Sequence, residues 1–350
     1  MPPVVRRSWV ALGGLVVVNA ALLLLPIHRR AAPLDRPRAR VGLVFDVGGR
    51  GDKSFNDRAY EGVERAVREL GIAPQYVEPG EGADREAGIR LLAAQGFDLV
   101  IGVGFIFSDD MYALAHEYPR TRFACIDYAK FDASGFVVPP ANMVALKFRE
   151  EEGAFLVGAL AALVSRTQAV GFVGGMDIPL IHKFEAGYKA GVRAVCPSCR
   201  VLVGYAGVTG DAFKNPAKGK ELALSQYGAG VDVIFHASGS TGLGVFEAAR
   251  SQGKLAIGVD ADQWAEAPGH VLTSMIKRVD VVVLDTIRRV VEQRFEGGLQ
   301  VFGLAEGALS WVHDAHNQAL VPAPARLRVE ALRADIVAGR IRPPSTREAP

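Results

Sequence analysis

Residues 41–46 read Val-Gly-Leu-Val-Phe-Asp, a short apolar run that ends in a carboxylate, and a glycine-rich loop follows at 47–51. A matching opening, Val-Gly-Phe-Val, begins at Val170, about 130 residues later. Each copy starts a series in which β-branched runs that end in Gly or Asp alternate with stretches of helical spacing. Such alternation is typical of a parallel sheet covered by helices. The repeat therefore predicts an α/β protein with two similar lobes.

Four strands are predicted in each pass of this pattern. The first pass has Val41–Asp46, Gln75–Glu78, Leu99–Val103 and Phe123–Asp127, and the second has Val170–Gly174, Val201–Tyr205, Val233–Ala237 and Ala256–Asp260. Two further runs, Val144–Phe148 and Val271–Met275, are predicted to carry the chain between the lobes as hinges. Ligands of open α/β sheets bind beyond the carboxyl ends of the strands, so two facing sheets would share one cleft.

The domain boundaries follow from where this pattern starts and stops. Residues 1–40 are predicted to be a membrane segment and tether, and 341–350 a flexible tail. The body between them is predicted at 41–340. Within it we assign 41–145 and 256–275 to lobe 1, and 150–255 and 278–320 to lobe 2.

The N-terminal run Trp9–Ile27 carries no charge, and its length lies between that of a signal-peptide core and that of a transmembrane helix. Both interpretations direct the protein to a membrane. No small-x-small cleavage site is evident, which favours an uncleaved anchor. Five arginines follow the run and two precede it, the reverse of what the positive-inside rule expects for an outward-facing body. The first cysteine is Cys125, so lipid attachment to an N-terminal cysteine is excluded.

Composition and motifs argue against nucleic-acid binding and catalysis. The 40 basic and 38 acidic residues leave a net charge of +2, without the basic footprint that a nucleic-acid backbone requires. The loop ending in Lys53-Ser54 resembles a phosphate-binding loop, but Asp52 stands where that motif needs glycine. Gly171–Gly175 fails the dinucleotide spacing, and the histidines are scattered. We therefore expect no enzyme activity, no cofactor and no metal.

Cys196 and Cys199 have the spacing of a redox motif, yet they follow a predicted helix over His182–Val195. A reactive thiolate needs the positive end of a helix, its N-terminus. A structural disulfide in an oxidising compartment is favoured over two free thiols.

Polar side chains close four of the predicted strands: Asp46, Asp127, Ser238 and Asp260. At the carboxyl ends of parallel strands they would line the cleft, where carboxylates accept hydrogen bonds from sugar hydroxyls. For any one aspartate, capping of the next helix is an equally good explanation. Phe55 and Phe213 lie in the corresponding loops of the two lobes, and an exposed Phe in a cleft can stack on a planar base.

Several long segments resemble the basic-membrane-protein family of ABC-transporter receptors, whose better-known members are purine-nucleoside lipoproteins. They include VGLVFDVGGRGDKSFND, KFREEEGAFLVGALAA, VGFVGGMDIPLIHKFEAGYKAGV, DVIFHASGSTGLGVFEAA, AIGVDADQ and VLTSMIKRVD, and together they cover most of Val41–Gly339. The resemblance implies two Rossmann-like lobes of the periplasmic-binding-protein type I architecture, joined by a hinge. It also implies a nucleoside in the cleft. The chain differs from the family at the N-terminus, where the family usually has a lipidated cysteine.

The resemblance further implies roles for single residues. Asp46, Phe55 and Asn56 would contact the base from the first lobe, with Asp127 across the cleft, while Phe213 would stack on the opposite face and Gly239, Asp260 and Lys277 would hold the ribose side. Phe184 lies in an equally recognisable segment and is the alternative to Phe213.

The function expected from these features is an extracytoplasmic, monomeric binding protein that delivers a nucleoside, with a purine favoured, to an ABC-transporter permease. The runner-up is a membrane-tethered sensor of the same ligand, although no output domain is attached. A third interpretation is a nucleoside hydrolase that uses Asp46 and Asp52 with a divalent ion. Such a site needs several carboxylates packed together, and these two do not suffice.

Overall fold

The computed structural model describes residues 37–78 and 85–347; the predicted apolar segment at Trp9–Ile27 and the last three residues of the predicted tail lie outside the described residues. In chain order its first half contains β1 (Arg40–Val44), α1 (Phe55–Leu70), β2 (Ala73–Val77), α2 (Arg85–Ala94), β3 (Leu99–Val103), α3 (Ser108–Glu117), β4 (Arg122–Ile126), a small hairpin of β5 (Phe131–Asp132) and β6 (Gly135–Phe136), β7 (Met143–Phe148) and α4 (Glu150–Val164).

The second half continues the same alternation. Its elements are β8 (Ala169–Met176), α5 (Pro179–Val195), β9 (Arg200–Gly207), α6 (Pro216–Gly228), β10 (Val233–Ala237), α7 (Gly242–Gln252), β11 (Leu255–Asp260), β12 (Val271–Lys277), α8 (Val279–Val291), β13 (Gly298–Phe302), β14 (Leu309–Trp311) and α9 (Ala323–Val337). None of the helices in the described part of the chain is both long and apolar enough to cross a membrane.

Two six-stranded sheets form the cores of two lobes. The first has the order β13-β7-β4-β3-β1-β2 and is parallel throughout. The second has the order β14-β12-β11-β10-β8-β9 and is parallel except for its edge strand β14. Central strands such as β1, β3 and β10 are buried along almost their whole length, as expected for strands covered by helices on both faces. The predicted α/β class with two parallel-sheet lobes is confirmed.

The sheet topology corrects two of the predicted lobe boundaries. Residues 256–275 were expected in lobe 1, but β11 pairs with β10 and β12 pairs with β11, so both strands belong to the second lobe. Residues 278–320 were expected in lobe 2, yet α8 packs on α1 and β13 pairs with β7 in the first lobe. The described chain therefore places 38–148 and about 279–303 in lobe 1, with 150–277 and about 309–347 in lobe 2.

The chain passes between the lobes three times within the described residues: from β7 to α4, from β12 to α8, and from β13 to β14. The first two crossings come directly after the two strands that were predicted as hinges. The crossings lie side by side, since the Arg149 N–H donates to the Phe302 carbonyl and the Arg278 N–H donates to the Ala308 carbonyl, both at 2.8 Å.

Glycines allow helices α4 and α5 to pack with their backbones in contact. A Cβ added at Gly191 would lie 1.9 Å from the Phe155 carbonyl oxygen, and one added at Gly158 would lie 2.2 Å from the Tyr188 carbonyl oxygen. At each of these points a glycine in one helix therefore lets its backbone touch the backbone of the other helix. Because α4 is also covered by β12 and α9, its sequence is apolar on nearly all sides.

Two further predictions concern the segment directly after α5 and the C-terminal tail. Cys196 and Cys199 form the expected disulfide, directly after α5. The predicted flexible tail, by contrast, makes defined contacts as far as it is described. The Arg347 guanidinium donates to Glu185 and Asp177, each at 2.8 Å, and lies over the Tyr205 ring.

Candidate functional site

A cavity lies between the carboxyl ends of the two sheets, with about 620 Å³ of space between its walls including the mouth. All eight predicted site residues line it: Asp46, Phe55, Asn56 and Asp127 from the first lobe, and Phe213, Gly239, Asp260 and Lys277 from the second. The structure thus brings these residues together, and their contacts with a ligand stay a prediction.

The loop after β1 is organised by a buried carboxylate that the sequence analysis did not assign to the site. Asp52 accepts hydrogen bonds from the backbone N–H groups of Ser54, Asn56 and Asp57 and from the Asn56 amide. Asn56 in turn accepts from the Asp46 N–H at 3.0 Å. Asp52 therefore holds the loop together from its centre, and through Asn56 it fixes the backbone of Asp46 at the cavity wall.

Asp46 has an unusual environment for an aspartate. Burial raises its pKa to about 7, although the Val47 N–H donates to it at 2.6 Å and Arg85 lowers the pKa. The carboxyl groups of Asp127 and Asp52 raise it further. Near neutral pH, Asp46 can therefore accept a hydrogen bond when ionised or donate one when protonated.

Four phenylalanines of the described residues line the cavity: Phe55, Phe105, Phe184 and Phe213. Phe55 is the first residue of α1 and Phe213 ends a short 3₁₀ turn; both are half-buried. Phe184, the alternative to Phe213, also lines the cavity but is only 4% exposed. A planar ligand could therefore contact aromatic side chains from both lobes, and Phe184 does not replace Phe213 but adds to it.

A buried cluster of charges joins the lobes below the cavity. The Lys277 ammonium lies 2.7 and 2.8 Å from the two Asp127 oxygens and 3.0 Å from Glu150. Lys183 donates to Glu150 and to the Phe148 carbonyl. Sequence reasoning missed Glu150 and Lys183. Nothing in KFREEEG distinguishes a buried glutamate from an exposed one, and nothing next to Lys183 marks that lysine as buried.

The cluster stays ionised at its centre. Burial opposes the charge on Lys277, yet Asp127 and Glu150 together hold its pKa above the usual range. Burial would likewise raise the pKa of Glu150, but Lys183 and Lys277 hold it below the usual range. Burial raises the pKa of Asp127, and Lys277 opposes that rise. Because the charges compensate one another, this cluster can be buried between the two lobes.

Two further polar contacts cross the cleft. The Ser54 hydroxyl donates to Asp260 at 2.5 Å, and burial raises the Asp260 pKa to about 6. The Gln263 amide donates to the Lys53 carbonyl at 3.0 Å. Since Ser54 and Lys53 belong to lobe 1 while Asp260 and Gln263 belong to lobe 2, the described conformation is one in which the lobes are together.

Comparison with known proteins now identifies the family. The family model for ABC transporter substrate-binding proteins of the PnrA-like type, Bmp, matches residues 39–338. The chain belongs to this family. The predicted resemblance is therefore confirmed, and the chain is a Bmp-type solute-binding protein of an ABC transporter, a family of binding proteins and not of enzymes.

Individual relatives can be aligned with this chain over most of their length. The ABC transporter nucleoside-binding protein BmpA of Lactococcus lactis is 30% identical over 328 residues, covering 87% of this chain and 89% of that protein. An uncharacterised lipoprotein of Pyrococcus furiosus is 36% identical over 288 residues, covering 78% and 70%. The crystal structure of an ABC transporter solute-binding protein from Aeropyrum pernix is 31% identical with a TM-score of 0.78, covering 89% and 94%.

Proposed function

We propose that this Bmp-type protein binds a nucleoside between its lobes, with a purine base, and delivers it to the permease of an ABC transporter. The observation that carries the proposal is the composition of the cavity lining. Phe55 and Phe213 offer aromatic faces from opposite lobes, while Asp46, Asp127 and Asp260 offer carboxylates at the strand ends. Aromatic faces suit a base, and carboxylates suit the hydroxyls of its sugar.

The location of the binding domain is proposed to be outside the cytoplasm, at the cell envelope. A lipoprotein relative, the Cys196–Cys199 disulfide and the apolar run Trp9–Ile27 support this location. Disulfides persist in oxidising compartments. The body is proposed to act as a monomer.

The direct test is a ligand panel measured by thermal shift and then by calorimetry. Inosine, guanosine, adenosine and cytidine are compared with hypoxanthine alone and ribose alone. A ligand that binds only the folded protein stabilises it by roughly 2.7 kcal/mol at a hundred times its dissociation constant. We expect purine nucleosides to raise the melting temperature more than cytidine, and hypoxanthine or ribose to have little effect. Equal affinity for hypoxanthine and inosine would refute the ribose contacts.

A second arm distinguishes binding from turnover. The protein is incubated with inosine, and free hypoxanthine is measured. Complex formation without release of the base is the expected outcome, and release of hypoxanthine at catalytic rates would contradict the proposal.

A further inference from the structure

A chain of buried side-chain hydrogen bonds runs from the cavity wall to the opposite lobe. The Ser238 hydroxyl lies 3.3 Å from His236 Nδ1, and His236 Nε2 lies 3.1 Å from the Oε1 atom of Gln263. Gln263 Nε2 then reaches the Lys53 carbonyl at 3.0 Å. Ser238 and His236 are fully buried and Gln263 is 2% exposed, so these groups have few alternative partners.

The orientation of the Gln263 amide is determined by two backbone groups whose polarity cannot change. The Val259 N–H, which can only donate, lies 2.8 Å from Oε1, and the Lys53 carbonyl, which can only accept, faces Nε2. If the amide were turned over, two donors would face each other at Val259 and two acceptors at Lys53. Oε1 is therefore the atom that faces His236.

This orientation decides which nitrogen of His236 carries the proton. Oε1 has no hydrogen, so His236 Nε2 must donate to it. Burial lowers the His236 pKa to about 4, which leaves the ring neutral with a single N–H near neutral pH. Nδ1 is then an acceptor, and the Ser238 hydroxyl donates its proton to Nδ1.

The imidazole cannot rotate out of this arrangement. Phe246 packs edge-on against it at 5.0 Å between ring centroids. One turn earlier on the same helix, a Cβ at Gly242 would lie 2.0 Å from the His236 Cε1 atom, so only glycine leaves room for the ring. The ring and its tautomer are thus both fixed by the fold.

We propose that Gln263 and His236 are positioning residues that leave the Ser238 hydroxyl able only to accept a hydrogen bond from a ligand. This wall of the cavity then selects a ligand group that donates a hydrogen bond. The Ser238 hydrogen points to His236, and only lone pairs remain for the cavity that Ser238 lines. The inference rests on the proposed function, for which the donor is a sugar hydroxyl or an amino group of the nucleoside. The Gln263 amide also donates to the Lys53 carbonyl of the other lobe, so the orientation of the Ser238 hydroxyl depends on contact between the lobes.

The first experiment measures the tautomer directly and needs no ligand. Long-range ¹H–¹⁵N spectra of the full chain distinguish protonated from unprotonated imidazole nitrogens, and a His236→Gln variant assigns the signals. We expect His236 in the Nε2–H form. Gln263→Met removes the acceptor and should give a mixture of tautomers, whereas Gln263→Glu keeps an acceptor and should retain the Nε2–H form. An Nδ1–H tautomer in the unaltered protein would overturn the proposal.

The second experiment tests selection with inosine and its analogues in which one sugar hydroxyl at a time is replaced by fluorine, which cannot donate. We expect one position at which fluorine weakens binding roughly tenfold. Ser238→Ala and Gln263→Met should both reduce that ratio towards one. Gln263→Glu, which loses only the donor to Lys53, should weaken binding of all analogues and preserve the ratio.

The outcomes separate this inference from the proposed function. If the unaltered protein binds no nucleoside, the proposed function fails, while the spectra still decide the tautomer. If nucleosides bind and Gln263→Met leaves the hydroxyl-to-fluorine ratio unchanged at every position, the positioning role is wrong. Melting temperatures of each variant report any general loss of structure.

Discussion

At the scale of single residues, Phe55 is the side chain that we predict to stack on an aromatic ligand. Its ring lines the cavity, and the Lys277 ammonium of the charge cluster lies over the ring, 5.0 Å from its centroid. Phe55→Ala should cost about 1–3 kcal/mol of nucleoside binding, the usual effect of removing a stacking side chain. Phe55→Tyr keeps the ring and should largely preserve affinity, which calorimetry can measure for both variants.

The control for Phe55 is Phe131, which is 62% exposed on the small hairpin and does not line this cavity. Phe131→Ala should leave nucleoside affinity unchanged. A Phe55→Ala protein with a much lower melting temperature but unchanged affinity would make Phe55 a core residue and remove its ligand role.

Asp46 makes stability depend on pH in a defined direction. Its pKa rises from an ordinary 3.8 to about 7 in the folded protein, so the folded state binds more protons between these values. The free energy of unfolding should therefore fall as the pH rises from about 4 to about 7. Asp46→Asn has the same shape without the titration, and its stability should be less dependent on pH. Urea unfolding of both proteins at pH 5, 6, 7 and 8 measures the difference, and parallel curves would contradict the shift.

The sequence predicts those site residues that a strand end or a recognisable segment marks. Asp46, Asp127 and Asp260 each follow an apolar run, and parallel topology alone brings such residues to one edge of a sheet. Glu150 and Gln263 lie within recognisable segments, but neither ends a predicted strand. Their places in the site depend on partners distant in sequence: Lys277 is 127 positions from Glu150, and Lys53 is 210 positions from Gln263.

At the scale of elements, the contact between α4 and α5 depends on the absence of a side chain at Gly191. Gly191→Ala places a Cβ against the Phe155 carbonyl and should separate the helices, with a loss of about 1–3 kcal/mol in the free energy of unfolding. Gly228, at the end of α6, has nothing within 4 Å of an added Cβ. Gly228→Ala is therefore the matched control and should leave stability unchanged or raise it by up to about 1 kcal/mol.

Chemical denaturation of both variants gives the comparison. Equal stability of Gly191→Ala and the unaltered protein would mean that the two helices can move apart freely at this point, contrary to the packing described. Because α4 carries Glu150 at its first position, a fall in nucleoside affinity is also expected for Gly191→Ala and not for Gly228→Ala.

The elements themselves were predicted well because their signals are local. The eight expected strands are all present, with ends that differ from the predicted ones by at most two residues. Their assignment to lobes was less successful at β11 and β12. An apolar run of five to seven residues specifies a strand, but its partner is selected by packing that the run does not encode.

At the scale of the whole molecule, the body is expected to fold without the N-terminal segment. Residues from Arg38 onwards form one compact unit, and the first strand begins at Arg40. A chain that begins at Arg38 should be soluble, monomeric and cooperative in thermal unfolding, which light scattering and circular dichroism can check. Its nucleoside affinity should equal that of the full chain in detergent. An aggregated or unfolded product would refute the domain boundary.

The three adjacent crossings between the lobes have a mechanical consequence. Three chain segments that lie side by side should resist twisting of one lobe against the other, whereas each can still bend where it leaves its strand. Opening is thereby restricted to essentially one angular coordinate, and a single interlobe distance is enough to follow it. One donor and one acceptor fluorophore, attached to α2 and α6, should therefore report every step of ligand capture as movement along a single line, with the lobes unable to reach the same distance by twisting.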